Sequence, residues 1–247
     1  MIPKIIHYCW FGREMPVRCR QVIEGWKVLM PDYTIYAWGN EHLEEYPIKF
    51  VRQAAQKGHY AFVADYFRLR KVFEYGGFYM DTDMMLIKRL DDFLDKEFMI
   101  CSEVPGRTAW GIFGSASKVP YLQTCFERYH NIEYDQFKPP VIPYFLNDLT
   151  LQYVSESPDT RLNLPPEYFY PMPVENSTAD FRAFLTNQTI GVHLWDFSWI
   201  SLKKERGLWE DVFYRVKTLV QDLFRFSYTP YYFRINLIRI RRRIFGR

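Results

Sequence analysis

Asp81 and Asp83 stand two positions apart in Asp-Thr-Asp, directly after the apolar run Phe78-Tyr79-Met80 and the glycine pair Gly76-Gly77. In an extended segment, residues i and i+2 point the same way, about 6.5 Å apart. Two carboxylates at that separation repel by roughly 0.6 kcal/mol in water and by about 2.5 kcal/mol at an effective dielectric near 20. An aspartate that only closes a turn gains about 1 kcal/mol. On an open surface a turn accounts for the pair. Near the end of a buried strand a divalent cation accounts for it better, because oxygen-rich ligand sets suit Mg²⁺ or Mn²⁺. Upstream, Asp65 and Arg68 lie three apart on a helical pattern and project from one face. Taken alone, they read as a local salt bridge worth under about 1 kcal/mol.

The surrounding pattern decides where these groups meet. KIIHYCW reads as a buried opening strand, Pro16 can start a helix over VRCRQVIEGWKVL, and YTIYAW is a second strand. Helices are expected over IKFVRQAAQKG and HYAFVADYFRLRKVFEYGG. In the latter, Phe62, Tyr66, Leu69 and Phe73 recur at helical spacing. Strands are expected at FYM, MLIKRL and FMICSEV, then helices over VPYLQTCFERYHN and VIPYFLNDLTLQYV. The proline-rich stretch 158–173 reads as loop with short extended pieces, TIGVHLWDFSWI as strand then loop, and LWEDVFYRVKTLVQDLFRF as an amphipathic helix. Alternating strands and helices imply an α/β sheet covered by helices. Ligands of such sheets bind beyond the carboxyl ends of the strands, which is where the Asp-Thr-Asp would sit. The segment WGIFGSASKVPYL supports no specific assignment.

ADYFRLRKVFEYGGFYMDTDMML resembles the D-x-x-R…Y-G-G-x-Y-x-D-x-D signature of the DXD-type sugar transferases, the family-32-like group. That group includes yeast mannosyltransferases and bacterial capsule and lipopolysaccharide enzymes, with clostridial glucosylating toxins as distant relatives. IPKIIHYCWFG resembles the same family's first strand, and GVHLWDFSW its late H-x-W-x-x-S-W segment, so the resemblance extends over residues 2–199. It implies a GT-A type nucleotide-diphospho-sugar transferase fold, a mixed central sheet flanked by helices, spanning residues 1–227. It also implies roles. Trp10 would stack on the nucleobase, and Asp65 and Arg68 would hold the donor ribose and sugar. Asp81 would bridge ribose and metal, and Asp83 would ligate Mn²⁺ or Mg²⁺ directly. His193 is a candidate late metal ligand or phosphate neighbour, while Ser198 and Trp199 would close over the diphosphate. The implied reaction is retaining transfer of a hexose or N-acetylhexosamine, with a UDP-linked donor favoured, to a saccharide acceptor in surface-polysaccharide assembly. No second carboxylate suited to a covalent route stands out in the sequence. A non-catalytic nucleotide-sugar or glycan-binding module and a metal-dependent phosphohydrolase are the alternatives; product analysis separates the three.

The 247 residues are 48% hydrophobic and 19% aromatic, enough for one sizeable core. No run approaches the roughly 18 apolar residues of a membrane span, and MIPKIIHYCW lacks the h-region and cleavage site of a signal peptide. Cys9, Cys19, Cys101 and Cys125 show neither a C-x-x-C pair nor zinc spacing, which reads as reduced thiols of a cytoplasmic protein. The net charge of +3 belongs to the end of the chain. Residues 228–247 carry Arg234, Arg239, Arg241, Arg242, Arg243 and Arg247 and no acid. Interleaved with isoleucine, leucine and phenylalanine, these arginines form a basic amphipathic tail of the kind that lies on anionic membrane surfaces. No groove-reading motif accompanies them, so nucleic acid is not an expected partner. The expectation is a cytoplasmic enzyme held peripherally at the membrane, near a lipid-linked acceptor.

Overall fold

The computed structural model describes residues 1–177 and 179–196. The helix expected at 208–226, the basic tail, Ser198 and Trp199 lie outside the described residues.

A six-stranded mixed sheet runs through the protein. In chain order its elements are β1 (Ile5–Cys9), α1 (Val17–Leu29), β2 (Thr34–Trp38), α2 (Lys49–Gln56), α3 (Tyr60–Tyr75) and β3 (Gly77–Met80). There follow β4 (Met84–Leu86), β5 (Phe98–Val104), β6 (Arg107–Ser115), α4 (Pro120–Glu127), α5 (Ile142–Phe145), α6 (Asn147–Ser155), β7 (Arg161–Leu164) and β8 (Gly191–His193). The sheet order is β2-β1-β3-β6-β5-β7, and β4 and β8 form a separate antiparallel ribbon. β1 pairs in parallel with β2 and β3, β6 runs antiparallel to β3 and β5, and β7 is parallel to β5. The expected α/β architecture, a mixed central sheet flanked by helices, is what the chain adopts.

Side-chain alternation along the strands divides the core in two. Tyr79, Phe98, Ile100, Trp110 and Phe113 pack with α2, α3 and α4, whereas Phe78, Met80, Met99, Cys101 and Ile112 pack with Trp26 of α1. β3, buried at every position, is the central rail. Its entry is sharp. Gly76 ends α3 at φ +69° and Gly77 begins β3 at φ +102°. A Cβ on Gly77 would lie 2.6 Å from the Ile5 carbonyl oxygen, and one on Gly76 2.9 Å from Pro3 and from the Ser117 amide. Only glycine permits both the dihedral and the approach. His7 locks the same corner: its Nε2 donates to the Gly76 carbonyl (2.8 Å), and its Nδ1 accepts from Trp38 Nε1 (3.2 Å). Burial keeps this imidazole neutral, with its pKa lowered to about 4.

Three expectations are corrected and one unassigned stretch is resolved. The unassigned stretch around Trp110 is the core of β6, a nine-residue strand buried from Thr108 onward. Periodicity alone does not separate such a fully buried run from a helix. The single helix expected over 141–154 is two, α5 and α6, split at Leu146. Asn147 at the break is tied to the neighbouring strand, its Oδ1 accepting from the Thr108 amide at 2.9 Å. The strand expected over 85–90 stops at Leu86, because Ile87 and Lys88 both donate to the Ile190 carbonyl (2.8 and 3.1 Å). Finally, Asp81–Asp83 is a turn and not an extended segment, closed by the Met84 amide donating to the Asp81 carbonyl at 2.9 Å. All four cysteines are unpaired and buried. No helix among the described residues is long and apolar enough to cross a membrane.

Candidate active site

A cleft of about 640 Å³ opens where β1 and β3 end. Trp10, Asp65, Arg68, Asp81, Asp83 and His193 all line it.

Four pieces of the fold deliver them. Trp10 leaves β1 and is held by its indole, which donates to the Arg13 carbonyl (2.7 Å). Asp65 and Arg68 come from α3 and form an ion pair at 2.9 Å. The local pairing was expected, but its setting is not a surface. Both side chains are less than a tenth exposed, so the pair needs additional partners to offset its desolvation. Arg68 supplies them: it donates to the Trp110 carbonyl (2.8 Å), lies 3.5 Å from Asp81 Oδ1, and stacks over the Tyr79 ring at 4.5 Å.

The turn between β3 and β4 presents both aspartates with one oxygen of each already engaged. Asp81 Oδ1 accepts from the Tyr79 hydroxyl (2.9 Å) and faces Arg68. Asp83 Oδ2 accepts from the Asp196 amide (2.9 Å). Asp81 Oδ2 and Asp83 Oδ1 therefore face His193 Nε2, at 3.9 and 3.4 Å. One ligand atom from each of the three residues lies within 4.8 Å of the other two. His193 arrives through the β4–β8 ribbon, in which Met84 pairs with His193. Beyond it, Trp195 adopts a left-handed φ of +56°, a conformation that costs a side-chain-bearing residue about 1 kcal/mol or more. Its indole donates to the Met172 carbonyl (2.8 Å), and the turn it makes aims the Asp196 amide at Asp83.

The electrostatics follow from this packing. Burial pushes the Asp65 carboxyl up to about 7, against the lowering effect of Arg68. Asp81 is held below the usual carboxylate range, because Arg68, His193 and the Tyr79 hydroxyl outweigh its burial. Burial raises Asp83, with Asp81 adding to it and His193 opposing. Burial works against charge on His193, yet Asp83 and Asp81 outweigh it and raise the imidazole above 6.5. Two carboxylates and an imidazole converging by one atom each form a donor set suited to Mn²⁺ or Mg²⁺. The repulsion between the two carboxylates, and the raised pKa of Asp83 beside Asp81, mark a site arranged for positive charge.

A pH dependence follows. A cation binds the unprotonated imidazole, so near and below the raised His193 pKa it must displace a proton. Mn²⁺ affinity is expected to fall by about tenfold per pH unit in that acidic window and to level off above it. Calorimetric Mn²⁺ titrations in buffers of different ionisation enthalpy measure this. Release of about one proton at acidic pH fits the arrangement, and an affinity independent of pH speaks against His193 as a ligand.

Several residues in the cleft were not foreseen: Tyr79, Glu103, Trp110, Gly111, Tyr170, Trp195 and Asp196. Tyr79, Trp195 and Asp196 lie inside the very motifs that drew attention to their neighbours, two positions or fewer from Asp81 or three or fewer from His193. Glu103, Trp110, Gly111 and Tyr170 come from segments whose sequence carries no chemical signature. Ser198 and Trp199, expected over the diphosphate, lie outside the described residues.

Residues 16–99 match a family described as the glycosyltransferase sugar-binding region containing the DXD motif. The chain is 25% identical over 183 residues to human alpha-1,4-N-acetylglucosaminyltransferase, covering 69% of this chain and 50% of the relative. It is 29% identical over 126 residues to inositol phosphoceramide mannosyltransferase 3 of Schizosaccharomyces pombe, covering 49% of this chain and 35% of the relative. The chain thus spans half or less of the length of these curated relatives. Among solved structures, a glycosyltransferase involved in glycosylation of the major capsid of PBCV-1 overlays with a TM-score of 0.47 at 12% identity, covering 81% of this chain and 97% of that one. The region that holds Asp65, Arg68, Asp81 and Asp83 is thus similar to the sugar-binding region of the DXD-motif glycosyltransferases.

Proposed function

We propose that the protein is a metal-dependent, retaining glycosyltransferase on a GT-A type scaffold. It moves a hexose or N-acetylhexosamine from a nucleotide-diphospho-sugar, UDP-linked by preference, to a saccharide acceptor. The observation that carries this reading is the convergence of Asp81 Oδ2, Asp83 Oδ1 and His193 Nε2 at the wall of a cleft that also holds Arg68 and Trp10.

Asp81, Asp83 and His193 would hold the cation, which when bound supplies Lewis-acid stabilisation to the departing nucleoside diphosphate. Trp10 offers its ring to the base. Arg68 stays charged, since Asp81, Tyr79 and Asp65 outweigh its burial. It directs a fixed positive field toward the charge that grows as the glycosidic bond breaks, at no reorganisation cost. Asp65 holds the guanidinium in orientation from below and offers an oxygen to donor hydroxyls. Tyr79 fixes Asp81 Oδ1, so that this carboxylate presents one defined edge to the site.

The test is product analysis with a panel of nucleotide sugars and acceptor glycans, with Mn²⁺ and with EDTA. Sugar transfer that EDTA abolishes supports the reading. Free phosphate as product points to a phosphohydrolase, and binding without turnover to a glycan-binding module. Full transfer in EDTA sinks the metal role. A surface-polysaccharide role on the cytoplasmic membrane face, with a lipid-linked acceptor, is the setting we assign to the basic tail. Deletion of residues 228–247 is then expected to release the protein from anionic vesicles while leaving donor hydrolysis intact, and equal vesicle binding by the shortened form removes the assignment.

A further inference from the structure

The order of the strands lays out the cleft as a line. Trp10 follows β1, Asp81 follows β3, Gly111 lies on β6 opposite Asp81, and Glu103 lies near the end of β5. Neighbouring strands are spaced by about 4.8 Å, so the span from β1 to β5 is about 14 Å. The aspartates sit between an aromatic end and a polar end. With a nucleobase on Trp10 and a diphosphate at the aspartates, the group left over falls on β6 and β5.

That end has its own chemistry. Tyr170 is 5% exposed and Trp110 1% exposed, and both line the cleft. Neither the Tyr170 hydroxyl nor Trp110 Nε1 has a hydrogen-bond partner among the described residues. Buried donors are almost always paired, and an unpaired one in a cleft wall marks a place where a ligand supplies the partner. The backbone between them is kept bare. A Cβ on Gly111 would lie 2.8 Å from the Tyr170 hydroxyl, 2.9 Å from Asp81 Oδ2 and 3.4 Å from the His193 ring. Glu103 adds a carboxylate, held by Arg107 at 2.6 Å. Two neutral donors beside the Glu103 carboxylate suit an uncharged group that both accepts and donates hydrogen bonds.

We infer that the Gly111 backbone floors the seat of the transferred sugar, with the Tyr170 hydroxyl and the Trp110 indole donating to its oxygens and Glu103 accepting from one of its hydroxyls. The inference rests on the donor chemistry proposed above and names the residues that read the sugar itself. Tyr170 is its sharpest probe, because its hydroxyl makes no hydrogen bond among the described residues. Removing that hydroxyl leaves the ring, with its 5.3 Å stacking on His193, in place.

The experiment measures Mn²⁺-dependent binding of UDP-glucose, UDP-galactose, UDP-N-acetylglucosamine and GDP-mannose, each against its own nucleoside diphosphate, for the wild type and Tyr170→Phe. The wild type first identifies the donor. If it binds none of these nucleotides, the proposed function fails before any variant is read, and this inference with it. With a donor in hand, Tyr170→Phe is expected to weaken the nucleotide sugar by about tenfold and the nucleoside diphosphate by less than about twofold. The melting temperature of the free variant should be unchanged or higher. Equal weakening of sugar nucleotide and diphosphate would reassign the hydroxyl to the pyrophosphate and overturn the inference. Unchanged binding of both would also overturn it, as would a lowered melting temperature, which reveals a structural role. Glu103→Gln gives an independent reading: selective loss of the sugar nucleotide supports the seat, and loss of neither ligand removes Glu103 from it.

Discussion

Asp83→Asn is expected to lower Mn²⁺-dependent transfer by about 10³-fold, with the fold retained. The substitution keeps volume and keeps an oxygen for the Asp196 amide, which Asp83 Oδ2 accepts at 2.9 Å in the native protein. It removes the charge of Asp83, whose Oδ1 lies 3.4 Å from His193 Nε2. Two consequences separate this from general damage. Burial and Asp81 together raise the Asp83 pKa, so its ionised form is disfavoured without a cation and its loss should cost the metal-free fold little. Losing one charged ligand should also shift His193 downward, since Asp83 is its strongest raising influence. The acidic window in which Mn²⁺ competes with a proton then moves to lower pH. Steady-state kinetics over a Mn²⁺ series, with melting temperatures in EDTA, measure both. Near-native transfer by this variant would rule Asp83 out as a ligand.

Arg68→Leu should be the most destabilising single change in the cleft, by about 3 to 5 kcal/mol. The guanidinium lies between Asp65 at 2.9 Å and Asp81 at 3.5 Å and donates to the Trp110 carbonyl at 2.8 Å. Leucine removes all three contacts and leaves two carboxylates and a carbonyl facing apolar surface. The sign of the pH effect follows from Asp65. Its pKa is already raised by burial to about 7 with Arg68 present, and it rises further once that charge is gone. Below that pKa the carboxyl takes up a proton and escapes the penalty; above it, folding must bury a bare anion. The Asp65 contribution to the gap in stability between wild type and variant is therefore flat below about pH 7 and widens as pH increases above it. Urea denaturation on both sides of that pH measures the gap. Arg68→Lys should fall between the two, because an ammonium cannot span three acceptors as the planar fork does. A leucine variant as stable as the wild type at pH 8 would mean that the ion pair is not buried as described.

How much of this was visible in the sequence varies residue by residue. The placement of Asp65, Arg68, Asp81 and Asp83 was legible because each lies on a periodic or glycine-punctuated element next to the others in the chain. The glycine pair forced α3 and β3 into one corner. The conformation of the acidic turn was not legible: an extended Asp-Thr-Asp and a hydrogen-bonded turn share one composition, and the Met84 amide decides between them. His193 could be singled out only through its motif, since it reaches Asp83 by the pairing of β4 with β8 across more than a hundred residues. Glu103, Gly111 and Tyr170 were invisible for the same reason. Their roles come from which strands lie side by side, and the crossing from β3 to β6 that brings them in has no local pattern. Trp110 was hidden in a strand buried on both faces, where hydrophobicity is continuous and the alternation that marks a strand is lost.

The most direct test is anomalous diffraction at the manganese edge from crystals grown with Mn²⁺ and UDP. A single peak coordinated by Asp81 Oδ2, Asp83 Oδ1 and His193 Nε2, with the diphosphate on its open side and the uracil against Trp10, is the predicted result. A peak elsewhere, or Asp81 and Asp83 turned to solvent with no metal between them, would contradict it.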